Sequence, residues 1–384
     1  MRTAGLCLFV TLMLATACRT DDDIVSPTTD DLGWQTQSEI VGMYVLCEGN
    51  MGSNKATLDY LDLQGDTARY WKNIFPSRNP GQVMMLGDVG NDCKVYGSRL
   101  WLVINCSNKV EVCTADSAFS LGHVDVPNCR YVCFDGGQAY VSSYVGPVNG
   151  TSVLGSVYRI DTLTLRVTGQ VAVGYQPEEM AVVDGKLYVA NSGGYEAIQG
   201  RSYDRTVSVV DLQTFQVEQT IDVAPNLFRL RADRHGQLWV TTRGDYGDSP
   251  SRLYLLRKNA QGIMEKADSV DVAVSDLTFR GDSLCFMGTS YDENWNRRHT
   301  FGVINVTTLQ PLTTQLVKDP SVIETAYGLM VHPLTGDIYV MDATNYVSSG
   351  RLFCFDADGQ LKWKTLTGDI PGHACFLRQS GGVK

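Results

Sequence analysis

From about residue 40 onward, apolar and polar positions alternate in short blocks, and the blocks recur. One block is an apolar run with an aromatic near its centre, leaving a polar turn. It reads Gly42-Met43-Tyr44-Val45, Arg99-Leu100-Trp101-Leu102, Gln138-Ala139-Tyr140-Val141, Lys186-Leu187-Tyr188-Val189, Gln237-Leu238-Trp239-Val240, Ser283-Leu284-Cys285-Phe286 and Asp337-Ile338-Tyr339-Val340. Each copy is followed by a polar loop and a second apolar strand, often closed by an acid or amide, as in Val157-Tyr158-Arg159-Ile160-Asp161 and Phe301-Gly302-Val303-Ile304-Asn305. Runs this short, rich in aromatic and β-branched residues and bounded by turn residues, are strands.

A shorter apolar strand precedes six of the aromatic ones, beginning near Asp92, Arg130, Glu179, Arg229, Asp276 and Tyr327. The seventh is missing at the N-terminal side and reappears at the far end as His373-Ala374-Cys375-Phe376-Leu377-Arg378. A repeat of this period is the signature of stacked supersecondary units. The expected fold is therefore all-β: a seven-bladed β-propeller of four-stranded blades. One blade is closed by pairing three N-terminal strands with an innermost strand from the C-terminus. The repeats occupy residues 39–384.

The first 38 residues lack the pattern. Arg2 precedes an apolar stretch from Ala4 to Ala15 that ends in Ala15-Thr16-Ala17-Cys18, with Asp21-Asp22-Asp23 shortly after. A short apolar segment closed by small residues reads as a secretion signal. The placement of Cys18 resembles the bacterial lipobox, with Leu14 one place further upstream than usual. That resemblance implies a signal peptide over residues 1–17 and lipidation of Cys18. The acidic run resembles a surface-export signal, so residues 18–38 are expected to form an export signal and flexible tether.

Composition narrows the function. Of 384 residues, 43% are hydrophobic and 19% charged, enough apolar material for a large core. With 42 acidic against 32 basic side chains, the phosphate contacts that hold proteins on nucleic acid have no obvious source, and no nucleic-acid partner is expected. Apart from Cys7 and Cys18, nine cysteines remain, without a C-x-x-C, and most lie in strand-like runs where cysteine behaves as a small hydrophobe. Buried free thiols are expected, with Cys106 and Cys129 a possible disulfide pair.

Catalytic signatures are absent: there is no G-x-S-x-G, P-loop, G-x-G-x-x-G or H-E-x-x-H sequence. The five histidines are widely spaced, each read as structural or exposed. One enzymatic alternative is a metal-dependent hydrolase, in which Asp92, Glu179, Asp276 and Glu324 would converge on a cation in the central channel. The expectation is no catalysis, no resident metal and no cofactor.

In a four-stranded blade, the loop entering the innermost strand and the loop between the second and third strands share one face of the disc. On this face the sequence places Asn50, Asn105, Tyr144, Tyr195, Tyr246, Tyr291, Trp295 and Tyr346, together with Asn91, Arg130, Glu178, Arg229 and Tyr327. Aromatic rings with polar tips, amides and guanidinium groups suit a large ligand with flat surfaces and many amides.

The repeat at Tyr175-Gln176-Pro177-Glu178-Glu179-Met180 through Leu187-Tyr188-Val189-Ala190-Asn191 resembles the YVTN or YncE-like propellers. More narrowly, Asn50-Met51-Gly52-Ser53-Asn54, Gly87-Asp88-Val89-Gly90-Asn91-Asp92, Asn105-Cys106-Ser107-Asn108-Lys109-Val110 and Asn191-Ser192-Gly193-Gly194-Tyr195 resemble the BtuG family of surface lipoproteins. This resemblance implies binding of vitamin B12 (cobalamin or another corrinoid) as a transported ligand. It also implies delivery to a TonB-dependent outer-membrane transporter and a lipid-anchored position on the cell surface. The rival reading is a surface propeller whose aromatics recognise a glycan or a protein partner.

Overall fold

A computed structural model describes residues 29–34, 39–81, 85–146, 153–291 and 297–379. Its strands form seven antiparallel sheets arranged as the blades of a propeller. Blade 1 joins Ile40–Cys47, Thr57–Asp62 and Thr67–Trp71 to the C-terminal strand Pro371–Arg378. Blades 2 to 7 span residues 90–125, 129–172, 177–222, 227–270, 276–313 and 326–369. Their innermost strands are Gly90–Tyr96, Cys129–Asp135, Pro177–Val183, Leu227–Ala232, Asp276–Arg280 and Ala326–Val331.

The sequence pattern follows from where each strand sits. The second strand of a blade has neighbouring blades on both sides, so both of its faces must be apolar. In Arg99–Ile104 every residue from Leu100 onward is buried. Leu100, Leu102 and Ile104 pack with Tyr44, Leu46 and Leu58 of blade 1, whereas Trp101 and Val103 pack with Val132 and Val141 of blade 3. Period-two alternation thus serves two cores rather than one core and solvent. The outermost strand has no such constraint, and Val167–Ala172 is largely exposed. Each pair of adjacent blades holds one apolar cluster, which gives seven around the ring. The aromatic residues that mark the repeat, such as Tyr140, Tyr188, Trp239 and Tyr339, are buried in these clusters.

Tight turns return the inner strands. At Asp184-Gly185 both residues have positive φ, 50° and 73°, as a two-residue hairpin matched to strand twist requires. The closing strand pairs in register with blade 1, with Tyr44 opposite Cys375 and Leu46 opposite His373. The seam between blades 7 and 1 is packed like the others, through Met43, Val45 and Leu61 against Tyr339, Met341 and Leu352.

Two expectations need correction. Thr29–Trp34, expected within the flexible tether, is a strand paired with Thr67–Trp71, so blade 1 has five strands rather than four. An outermost strand presents an unpaired ladder edge, and the adjoining upstream segment covers it. The rest of residues 1–38, apart from Thr29–Trp34, lies outside the described residues, as does Cys18. The nine described cysteines are all free thiols. Cys106 is exposed and does not pair with Cys129, whose sulfur lies 3.5 Å from the Ile104 carbonyl and 3.4 Å from that of Lys109. Burial drives the Cys129 thiol up to about 12, so it behaves as an apolar side chain.

Closure by the C-terminal strand is directly testable. Truncation after Pro371 removes the ladder to Ile40–Cys47 and uncovers both seams that flank blade 1. We expect a lower, broader thermal transition by circular dichroism; a midpoint equal to that of the intact chain would contradict this closure.

Candidate functional site

The inner strands start at one face of the disc, and residues at or next to several of these starts line the channel mouth. These are Asn91, Arg130 and Tyr131, Phe228 and Arg229, Ser275, and Ala326 and Tyr327; the closing strand contributes His373. With the loops after each second strand, they enclose a cavity of about 1280 Å³.

The inner strands are stitched by carboxylates. Asp92 accepts a hydrogen bond from the Val132 amide at 3.0 Å, Glu179 from Leu230 at 3.2 Å and Asp276 from Leu329 at 3.0 Å. In each case an acid on one inner strand holds the backbone of the next. Cations complete the pairing: Lys94 with Asp92 at 3.4 Å, Arg231 with Glu179 at 2.9 Å, and Arg229 and Arg231 with Asp276 at 3.3 and 3.0 Å. Burial opposes ionisation of Glu179, but Arg231, Arg229 and Lys94 outweigh it and hold its carboxyl below the usual range.

Above this layer, Glu178 is 1% exposed and receives three donors. Arg130 reaches it at 3.2 Å, the Tyr144 hydroxyl at 2.8 Å and Arg243 at 3.5 Å. Burial again opposes ionisation, and the two guanidinium groups again win, so its carboxyl is lowered. The Arg130 guanidinium also lies over the Tyr144 ring, 4.8 Å from its centroid. Across the channel, Glu48 accepts from the Tyr327 hydroxyl at 3.1 Å and lies 3.4 Å from His373. This cluster joins three segments at the closing seam.

Of the residues expected to bind ligand, Asn91, Asn105, Arg130, Tyr144, Tyr195, Arg229, Tyr327 and Tyr346 line the cavity. Tyr195 packs edge-on against Tyr144 and Tyr346 against Tyr327, leaving both outer rings part-exposed at the rim. Several others hold the site together instead. Glu178 lies beneath the lining, and Asn50 donates to the Tyr346 carbonyl. The Asn91 amide donates to the Arg130 carbonyl at 2.5 Å and that of Asn105 to the Cys129 carbonyl at 2.8 Å, so both bridge blades 2 and 3. Tyr246 is 80% exposed and does not line the cavity. Trp295 and the side chain of Tyr291 lie outside the described residues.

Sequence reasoning missed Arg243, Arg297, Phe228, Tyr131, Glu48 and His373, all of which line the cavity. A register signal existed for two of them. Arg243 and Glu48 directly follow the second strands of their blades, the position that Asn105 and Tyr144 occupy in blades 2 and 3. The four acids considered for a metal site do not converge: Asp92, Glu179 and Asp276 are each engaged as described, and the Glu324 side chain is 54% exposed and 3.9 Å from Arg351. Among the described residues no group of histidine, cysteine and acidic side chains has metal-binding geometry.

No protein-family model matches the chain, and no curated protein does. Among solved structures it is similar to hydrazine synthase of Kuenenia stuttgartiensis, at 15% identity and a TM-score of 0.60 over 74% of this chain and 89% of that one. A protein from Lactobacillus plantarum is similar at 14% identity and 0.59, over 88% of this chain and all of that one. Apo AztD from Citrobacter koseri is similar at 12% and 0.51, over 90% of this chain and all of that one. At such identities the likeness shows the fold alone. The class that fold and site define is a seven-bladed β-propeller with a large cavity on its loop-rich face.

The Glu178 pairing predicts an acid-sensitive site. Its folded-state pKa lies below the unfolded value, so the stabilisation is complete above the usual glutamate range near 4.5 and is lost as pH falls through the depressed value. Glu179 acts in the same sense. Glu178→Gln should lower the thermal midpoint at neutral pH, since breaking a buried pair costs about 3–5 kcal/mol. It should also flatten the fall in midpoint below about pH 4.5, the range of the linkage. A variant melting like the wild type at both pH values would contradict this.

Proposed function

We propose that the protein is a non-enzymatic, lipid-anchored surface propeller. In this reading it captures cobalamin or a related corrinoid in the channel-mouth cavity and passes it to a TonB-dependent transporter in the outer membrane. The observation that carries the reading is the cavity itself. At about 1280 Å³ it exceeds the range of roughly 300–1,000 Å³ usual for drug-sized ligands. Its lining combines aromatic rings, amides and guanidinium groups around a wide opening.

A corrinoid presents a flat macrocycle rimmed by amide side chains. Rings at the rim, Tyr195 and Tyr346, can cover apolar area, while Arg130, Arg229 and Arg243 offer donors to amide oxygens. Because the walls are strands cross-braced by ion pairs, the site is built before ligand arrives, which lowers the ordering cost of tight capture. The resemblance of the loop phrases to the BtuG family and of the leader to a lipobox supports the ligand, the transporter partner and an anchor at Cys18. The engagement of Asp92, Glu179 and Asp276 with backbone amides and cations supports binding over metal-dependent hydrolysis.

Calorimetric titration with cyanocobalamin should give saturable one-to-one binding at nanomolar affinity or tighter. Tyr327→Ala and Tyr195→Ala should each weaken it by about tenfold or more, as expected for aromatic anchors. No heat and no saturation would remove the corrinoid reading; binding of a glycan in its place would favour the rival one. For the anchor, Cys18→Ser should abolish incorporation of a labelled fatty acid in the bacterial host. Labelling equal to that of the wild type would contradict lipidation at that residue.

A further inference from the structure

Blade 5 contributes two arginines to the cavity lining, both against the ring of Phe228. Arg229, on the inner strand, and Arg243, just past the second strand, place their guanidinium carbons 4.5 and 3.6 Å from the centre of the Phe228 ring. Such contacts fix the planar groups while leaving in-plane N–H donors available. Arg229 is 4% exposed, and its side chain also donates to the Tyr131 hydroxyl at 3.2 Å.

The guanidinium groups around Phe228 share their carboxylate partners rather than each having its own. Arg130 and Arg243 share Glu178, Arg229 and Arg231 share Asp276, and Arg231 also meets Glu179. Four guanidinium groups thus share Glu178, Glu179 and Asp276, with the Lys94–Asp92 pair beside them, in a chain whose formal net charge is −10. Two further acids line the same cavity, Glu48 beside Tyr327 and His373, and Asp125 3.5 Å from His123. Hydrogen bonding is incomplete. The buried Arg229 Nε has no hydrogen-bond partner, its 3.3 Å approach to Asp276 being an ion-pair contact without hydrogen-bond alignment. Arg243 contacts Glu178 only at 3.5 Å. A desolvated cation without full compensation is costly, and an entering anion removes that cost.

We propose that Arg229 and Arg243, set around Phe228, form an oxyanion subsite within the cavity, and that the ligand carries a phosphate ester or a comparable anionic group which docks there. Guanidinium forks match the paired oxygens of such a group. The inference deepens the corrinoid reading and rests on it for the choice of probes. Cyanocobalamin carries a phosphodiester, and dicyanocobinamide has the same macrocycle without one.

The test is to titrate the wild type, Arg243→Gln and Arg243→Lys with both compounds, at low and high salt. The wild type should prefer cyanocobalamin by about tenfold or more, and that preference should fall by a similar factor in Arg243→Gln and by less in Arg243→Lys. Raising the salt should weaken cyanocobalamin more than dicyanocobinamide. Equal wild-type affinities for the two compounds, or a preference that survives Arg243→Gln, would overturn the subsite. If neither corrinoid binds the wild type, the corrinoid reading fails and the subsite is judged with inorganic pyrophosphate. A pyrophosphate-dependent rise in the wild-type thermal midpoint that Arg243→Gln abolishes supports the subsite, and no rise in the wild type overturns it.

Discussion

Three carboxylates on alternate inner strands constrain everything at the centre of this propeller. Asp92, Glu179 and Asp276 each accept the backbone amide of the next inner strand, at Val132, Leu230 and Leu329. Inner strands of neighbouring blades splay like spokes and cannot form a continuous ladder with one another. Their amides still need acceptors once buried, and a charged acceptor makes the stronger bond. The apolar clusters between blades then hold the disc at larger radius, while the carboxylates fix spacing at the hub.

Buried carboxylates must in turn be neutralised, and this requirement shapes the cavity. Lys94, Arg229 and Arg231 answer the hub acids, and Arg130 and Arg243 answer Glu178 one layer above. Stability and the make-up of the cavity are therefore tied together in these side chains. Of these groups, Arg130, Arg229 and Arg243 also line the cavity. Because they are braced by aromatic rings such as Phe228 and Tyr144, they stand in place without ligand. A site of this kind reads chemistry by pre-positioned donors rather than by loops that fold over their target.

Much of the fold was legible because its rule is local and repeated seven times. A strand flanked by blades on both sides must be apolar along its length, and Leu100 to Ile104 or Leu187 to Ala190 say so directly. Closure was legible for the same reason, since an inner strand without its blade appears after Pro371. The extra strand Thr29–Trp34 was not legible: an edge strand has few packing demands, and its polar sequence reads equally well as tether. The face carrying the site could be read from loop parity, whereas the duties of individual residues could not. Asn91 and Asn105 look like ligand donors in sequence, but their amides bridge blades 2 and 3. Arg243 was overlooked because its acidic partner Glu178 lies in blade 4, and only the ring brings the two together.

The central claim is that a corrinoid is held at the loop-rich mouth of a channel already assembled to receive it. Amide hydrogen exchange with and without cyanocobalamin tests this most directly. The account predicts added protection confined to the mouth, over the segments around Asn105, Tyr144, Tyr195 and Tyr327, with exchange of the inner strands unchanged. Protection on the opposite face, around turns such as Asp184-Gly185, or an absence of protection anywhere, would contradict it.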